Sequence, residues 1–319
     1  MTSEVIASRH DRPQAGGMTP LPTLDEGRLR RALFANAAFS CLTGSTLLVA
    51  PQAVASHLAE APEVALRALG AGLLLFAGGL LWQATRRELR LALALATVVA
   101  DLSWVLGSLA IIALVPLSVV GMLLIGVVAL IVAAVTVAQL SGLALAIRAP
   151  DPAHGTACHY RVSVDLACSA DSLWPVIADL GRIVAYAPGL SSSRLEGGQG
   201  VGAVRHCRDR RGARWREEVT AWRNGGGFDL RFVTEDAGFP FPMDPMVGGW
   251  RLVALTAEST RVTVWWSFTT RPAWAAPIVV AMTDAGARRD MTRIIRAMGD
   301  AATHDEGADD RSLGGIGVA

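Results

Sequence analysis

The run LALALATVVADLSWVLGSLAIIALVPLSVVGMLLIGVVALIVAAVTVAQLSGLALAI, Leu91–Ile147, decides how this chain folds. Between Arg90 and Arg148 its one charged residue is Asp101. A soluble domain does not write so long a charge-free stretch, whereas a bilayer takes up about 20 apolar residues per helix. Pro116 divides the run into two spans, Leu91–Leu114 and Leu117–Ile147. Moving toward the N-terminus, the same composition recurs at Ala32–Ala50, ending at Pro51, and at Leu66–Thr85, ending at Arg86. Moving toward the C-terminus, the chain turns to ordinary mixed polarity after Arg148. The expected fold class is therefore a membrane α-helical bundle of four transmembrane helices followed by a globular domain.

This reading sets the domain plan: a disordered N-terminal tail (1–27), the transmembrane domain (28–148), a Pro/Gly-containing linker (149–157), a globular domain (158–302) and a disordered C-terminal tail (303–319). The tail at 1–24 lacks the apolar core of a signal peptide. The chain has 319 residues and a net charge of +1, without the basic excess expected of a nucleic-acid binder. Its four cysteines, Cys41, Cys158, Cys168 and Cys207, form no C-x-x-C pair and have no His at zinc spacing, so no metal or other cofactor is expected.

Arginines orient the bundle. Arg28, Arg30 and Arg31 precede the first span, Arg86, Arg87 and Arg90 separate the second and third, and Arg148 follows the fourth. The loop 51–65 has no Lys or Arg. All positive ends thus fall on one side, which places both termini in the cytoplasm of a multi-pass plasma (inner) membrane protein. Trp82 and Trp104 are expected toward the ends of their spans. Asp101 falls mid-span, where a carboxylate costs roughly 2.5–3.5 kcal/mol. It is either a functional intramembrane group or a polar contact joining helices, with Ser103, Gln83, Thr136 or Gln139 as partners. Gly72, Gly78, Gly79, Ser103 and Gly107 are small enough for close helix packing.

In the C-terminal half, Tyr160, Val162, Val164 and Leu166 alternate as one face of a strand. Ser169 or Asp171 caps a short helix. Strands follow at about Ser192–Glu196, Gly202–Arg208, Arg214–Trp222, Gly227–Thr234, Gly249–Leu255 and Arg261–Thr270, separated by Gly-rich turns. A long amphipathic helix, Ala273–Ala302, closes the domain. A curved sheet around such a helix buries one face of each and can enclose an apolar cavity.

The stretches VSVDLACSADSLWPVIADLGRIVAYAPGL (Val162–Leu190), GVGAVRHC (Gly200–Cys207), WREEVTAW (Trp215–Trp222) and GGWRLVALTAESTRVTVWWSF (Gly248–Phe268) resemble the START-like, or SRPBCC, helix-grip superfamily, in its branch of polyketide cyclases/dehydrases and lipid-transport proteins. The resemblance covers nearly the whole globular half and leaves the membrane half outside. It implies an α+β helix-grip domain with a cavity for a lipid, polyketide or other hydrophobic molecule. Some members of such a family catalyse cyclisation, dehydration or hydrolysis there and others only bind or carry, and no shared catalytic set carries over.

Strand and helix alternation nominates Trp222, Phe228, Leu230, Phe232, Val264, Trp266, Phe268, Ile278 and Met282 as cavity wall, against the plainer role of core packing. His206 is the one weak catalytic candidate, since it shares strand parity with Gly202 and Val204. Glu217 and Glu218 are adjacent and face opposite sides, so they cannot act as paired carboxylates. The loop DAGFPFPMDPMVG (236–248) carries Phe239, Phe241, Met243 and Met246, as an apolar lid or a membrane contact. Arg208, Arg210, Arg211, Arg214 and Arg216 form a basic hairpin suited to anionic headgroups.

The expected partners are membrane lipids and a hydrophobic small-molecule ligand, with no nucleic acid. The first functional reading is a membrane-anchored cytoplasmic domain that binds or carries such a ligand. The alternatives are a cyclase/dehydratase- or hydrolase-type enzyme acting on a membrane-soluble substrate, and an interaction module for membrane partners. The absence of any nucleophile, metal or nucleotide motif tilts the reading toward binding.

Overall fold

A computed structural model describes residues 17–58, 61–151, 155–270 and 272–313 of the chain. Its contacts gather into two compact units. One comprises Pro22–Tyr160 with Thr269–Arg289, and the other Met1–Leu21, Arg161–Phe268 and Asp290–Ala319.

The first unit is built on α1 (Gly27–Val49), a short α2 (Pro51–Ala55), α3 (Glu63–Thr85), α4 (Leu91–Leu114) and α5 (Val119–Ile147). Four of these helices, α1, α3, α4 and α5, are long and apolar enough to cross a membrane. They begin and end within a few residues of the stretches read from composition, and Ser118 caps α5 by accepting the Gly121 N–H. Their polarity is inverted relative to a soluble bundle. Buried residues include Asn36, Ser40, Gln83, Thr97, Asp101, Ser108, Thr136 and Gln139, while Leu75, Leu106, Leu130 and Val137 lie on the outside. Water would penalise that arrangement, and hydrocarbon favours it.

Helices α1 and α3 meet at two glycines. A Cβ on Gly44 would stand 2.7 Å from the Gly70 carbonyl oxygen, and one on Gly70 equally close to that of Gly44. Gly142 of α5 backs onto the Leu29 main chain in the same way. These, rather than the expected Gly72, Gly78, Gly79 and Gly107, are the close-packing sites. The latter four face open space because they lie on the outward sides of their helices.

The expected linker is a hairpin. Strand β1 (Arg148–Asp151) pairs with the start of β2 (Gly155–Leu166), with Ala149 opposite Ala157. Both alanines are buried, so the linker residues continue the sheet instead of leaving it. This unit also takes in the first part of the closing helix α7 (Ala276–Leu313). There the Tyr160 hydroxyl donates to the buried Asp284 carboxylate (3.0 Å), and Arg288 bridges Asp284 and Glu88.

The second unit is an antiparallel sheet with the rest of α7. After β2 come α6 (Ala170–Ala178), β3 (Leu190–Glu196), β4 (Val204–Asp209), β5 (Arg214–Arg223), β6 (Gly227–Phe232), β7 (Met243–Thr256) and β8 (Ser259–Thr270), in sheet order β1-β2-β8-β7-β6-β5-β4-β3. Ser169 caps α6, accepting the Ser172 N–H at 3.0 Å. In the β4–β5 turn the Asp209 carboxylate takes the N–H groups of Arg211 and Ala213, and Gly212 adopts φ +94°, which suits a residue without Cβ. Ile294, Ile295 and Met298 of α7 are buried, and Gly299 lets Leu166 approach closely. This is the expected α+β helix-grip arrangement.

Both tails depart from expectation. Helix α7 runs past Ala302 to Leu313, and residues 314–319 lie outside the described ones. Residues 1–16 also lie outside them, but Thr19 is fixed against the sheet by main-chain hydrogen bonds to Asp229 and Arg251 (both 2.8 Å).

Candidate functional site in the helix-grip sheet

The register of the strands sorts their side chains onto two faces. Arg205 pairs with Glu217, Cys207 with Trp215, Glu217 with Phe232, Val219 with Leu230 and, past a bulge, Trp222 with Phe228. These residues share the inner face, and the alternate residues share the outer one. The inner row is apolar at β6 and β8, where Phe228, Leu230, Phe232, Val264 and Phe268 are all buried. Trp222 stacks on Phe228 (5.5 Å, 16°) and meets Trp174 of α6 edge-on at 5.2 Å. Phe228 continues the row to Trp250. Gly248 of β7 opens a notch in which Phe232 and the half-buried Trp266 converge.

Of the nominated wall residues, the structure thus brings Trp222, Phe228, Leu230 and Phe232 together, and places Val264, Trp266 and Phe268 on β8, one strand beyond β7. Ile278 and Met282 are corrected. They are 38% and 73% exposed, because the buried side of that part of α7 is Ala276, Val280, Ala281 and Asp284. That set is spaced by four, one and three residues, as one helical face requires, and residues 278 and 282 fall on the other side.

The polar end of the inner face is a cluster that the sequence reading did not assemble. Arg205 and Glu217 are 6% and 3% exposed. The Arg205 guanidinium donates through Nε (2.9 Å) and Nη2 to Glu217 Oε2. Trp215 donates its indole N–H to Glu217 Oε1 at 2.7 Å, and the Cys207 thiol lies against the same oxygen. Both oxygens of the Glu217 carboxylate are thus engaged by donors. Burial, with the Glu217 charge beside it, pushes the Cys207 thiol up to about 12, so it stays protonated and unreactive. Arg205 Nη1, by contrast, is buried with no hydrogen-bond partner among the described residues. Leaving such a donor unpaired costs roughly 1–3 kcal/mol or more. It is the one inward cationic N–H of this cluster not already engaged.

His206 faces the other way. Its Nε2 lies 2.9 Å from Glu196 on the half-exposed outer face. The expected parity was one residue out, because β4 presents Arg205 and Cys207 inward. Glu218 is likewise outside, paired with Arg231. A second buried ion pair, Asp229–Arg251 (2.5 Å), belongs to the outer face and is covered by Thr19. The signal that would have found the inner pair is the opposite charge of Arg205 and Glu217 at facing positions of a Gly-turned hairpin.

The loop 236–248 does not present its four apolar residues as one surface. Phe239 packs edge-on against Phe241, and Phe241 against Trp215. Met243 opens strand β7 and Met246, within it, is buried, since the chain is already paired there. Of the hairpin arginines, Arg208, Arg210, Arg211 and Arg214 are exposed, while Arg216 is clamped by Asp236 (2.7 Å). That clamp holds the Asp236 carboxyl below the usual carboxylate range. No group of His, Cys, Asp and Glu among the described residues could hold a metal ion.

Residues 157–302 match the family model described as polyketide cyclase / dehydrase and lipid transport. Similar solved structures include the Zhui aromatase/cyclase from Streptomyces sp. R1128, with 22% identity over 46% of this chain and 94% of that one (TM-score 0.38). A point mutant of norcoclaurine synthase from Thalictrum flavum, in complex with a transition-state analogue, shows 15% identity over 47% and 96% (TM-score 0.39). No curated protein matches the chain.

Proposed function

We propose that the C-terminal domain, whose sequence matches the polyketide cyclase/dehydrase and lipid-transport model, binds a hydrophobic small molecule bearing an oxygen, and that the four apolar helices anchor it to a membrane. The observation that carries this reading is the Arg205 Nη1, unpartnered among the described residues, at the polar end of a mostly apolar inner face. A mostly apolar wall with a single placed donor selects a ligand that is greasy over most of its surface and presents a carbonyl, hydroxyl or acid oxygen at one end. Glu217 serves as the positioning residue that fixes the guanidinium plane, leaving Nη1 for the ligand.

The bundle is oriented with both termini in the cytoplasm of a plasma (inner) membrane, in keeping with the arginine bias. A lipid-soluble ligand is then concentrated in the membrane to which the domain is tethered. The enzymatic alternative needs a group free to exchange protons. Glu217 is engaged by three donors, the Cys207 thiol is held protonated, and His206 faces outward, so binding or carriage is the reading better supported.

An experimental structure of the full chain, purified with its native lipids, tests this. The expected result is non-protein density against Trp222, Phe228 and Trp266 with an oxygen at about 2.7–3.2 Å from Arg205 Nη1. Finding Nη1 bound only to protein or water, with the inner face closed by side chains, would refute it.

A further inference from the structure

The four-helix unit contains a cavity of about 180 Å³ between α1, α3, α4 and α5. Leu73, Phe76, Phe39, Val128 and Val132 form most of its wall, and Asn36, Ser40, Asp101 and Trp104 give it a polar end. Of the partners expected from sequence, Gln139 lies within hydrogen-bonding reach of Asp101. Ser103, Thr136 and Gln83 bond to main-chain carbonyls instead. Its Oδ2 takes the amide of Asn36 at 2.7 Å, and Ser40 in turn donates to Asn36. A carboxylate accepts about four hydrogen bonds, so Asp101 keeps acceptor capacity.

Trp104 is mid-helix in α4, not at a membrane interface, and its indole N–H is buried with no partner among the described residues. Positions 101 and 104 are three apart and share one face of α4. Gln139 is fully buried beside Asp101, within hydrogen-bonding reach of it. Helices held together by polar contacts need neither a cavity nor an idle indole N–H beside them.

The geometry points to a binding site for a lipid-soluble molecule presenting a single phenolic ring. We infer that its hydroxyl proton is donated to Asp101 and its oxygen accepts the Trp104 N–H, with the ring between Phe39 and Phe76. Size supports one ring: an apolar cavity of about 150 Å³ takes up benzene. Chemistry supports the hydroxyl, since a carboxylate and an indole N–H together call for a group that donates and accepts. A ring ether or quinone lacks the proton for Asp101, and a bare hydrocarbon satisfies neither group. This site lies wholly within the membrane unit and is independent of the binding proposed for the helix-grip sheet.

The test uses the full chain in nanodiscs and ¹⁹F NMR of 4-fluorophenol, 4-fluoroanisole and fluorobenzene, each against empty nanodiscs. The expected result is a saturable, exchange-broadened signal for 4-fluorophenol, with the other two probes binding roughly tenfold or more weakly. Ala100→Leu, which fills the cavity from its wall, abolishes that signal, and Trp104→Phe weakens it by a similar factor. These two variants leave the Asn36–Asp101 contact in place, so they decide the matter even where an Asp101 variant folds poorly. Equal binding of fluorobenzene and 4-fluorophenol, or of 4-fluorophenol to wild type and Ala100→Leu, would overturn the proposal. So would spectra identical to those of empty nanodiscs, which would mark the cavity as water-filled.

Discussion

The membrane unit and the helix-grip unit each bury a carboxylate, and they do so by opposite means. Asp101 is met by a neutral amide, Asn36, in a bundle whose outside is apolar. Glu217 is met by a full positive charge, Arg205, in a sheet whose outside is charged. The difference follows from where each unit puts its apolar surface. In the helix-grip sheet the apolar groups are inside, so a buried carboxylate there has no water to fall back on and needs a counter-charge. In the bundle the apolar groups face lipid, so the interior is the place where polar groups find one another, and a dipolar partner suffices.

The largest effect should come from emptying the inner face of the sheet. Phe228→Ala should destabilise the helix-grip unit by about 3–5 kcal/mol, since it removes a fully packed ring. Leu130→Ala, a deletion on the outward side of α5, should change bundle stability by less than about 1 kcal/mol, because the lost methyl groups face lipid. Chemical unfolding of the full chain in detergent, followed by tryptophan fluorescence, compares the two. Equal costs would mean that α5 is not lipid-facing.

Next in size is the buried ion pair. Arg205→Met alone should cost about 3–5 kcal/mol by stranding the Glu217 charge, whereas Arg205→Met with Glu217→Leu should recover most of that loss. A double variant no better than the single one would show that the pair is not the buried unit described. In the bundle, Gly70→Leu should cost about 1–3 kcal/mol by forcing α1 and α3 apart, read as a lower midpoint in thermal unfolding. Gly79→Leu, with open space around it, is the control and should be silent.

Asp101→Asn should be milder, about 0.6 kcal/mol, because an amide still accepts from Asn36. A loss approaching that of Arg205→Met would mean that Asp101 is paired with a charge after all. The smallest effect belongs to the surface clamp. The Asp236 carboxyl is lowered by Arg216, so its contribution is present above the unfolded value near about 3.9 and fades as pH falls through the lowered folded value. The loop after Asp236 should therefore resist proteolysis at neutral pH and open only under strong acid. Asp236→Asn should make it cleavable at neutral pH without altering global unfolding.

Much of this was legible in the chain. The four long helices followed from charge-free length alone, because lipid imposes a requirement that no side-chain detail can relax. The strands at β5, β6 and β8 were legible from alternation such as Phe228, Leu230 and Phe232. The site was less so. In Val204-Arg205-His206-Cys207 no alternation of polarity shows which residue is inside, and the decision rests with the partner strand, where Glu217 and Val219 are buried opposite Arg205 and Ala203. The Asn36 partner of Asp101 was equally hidden, since it lies on a different span and only the packing of α1 and α4 against α5 brings it near. Ile278 and Met282 misled because an apolar residue on α7 carries no mark of the face it takes.

The inner face of the helix-grip sheet is proposed to hold an apolar, oxygen-bearing molecule through Arg205. Native mass spectrometry of the full chain, released from micelles after purification from its own membranes, addresses it most directly. A small organic molecule should be bound to the wild-type protein and lost from the folded Arg205→Met/Glu217→Leu variant. A wild-type protein that carries no molecule beyond loosely held membrane lipid, or a double variant that retains the same molecule at the same occupancy, would contradict it.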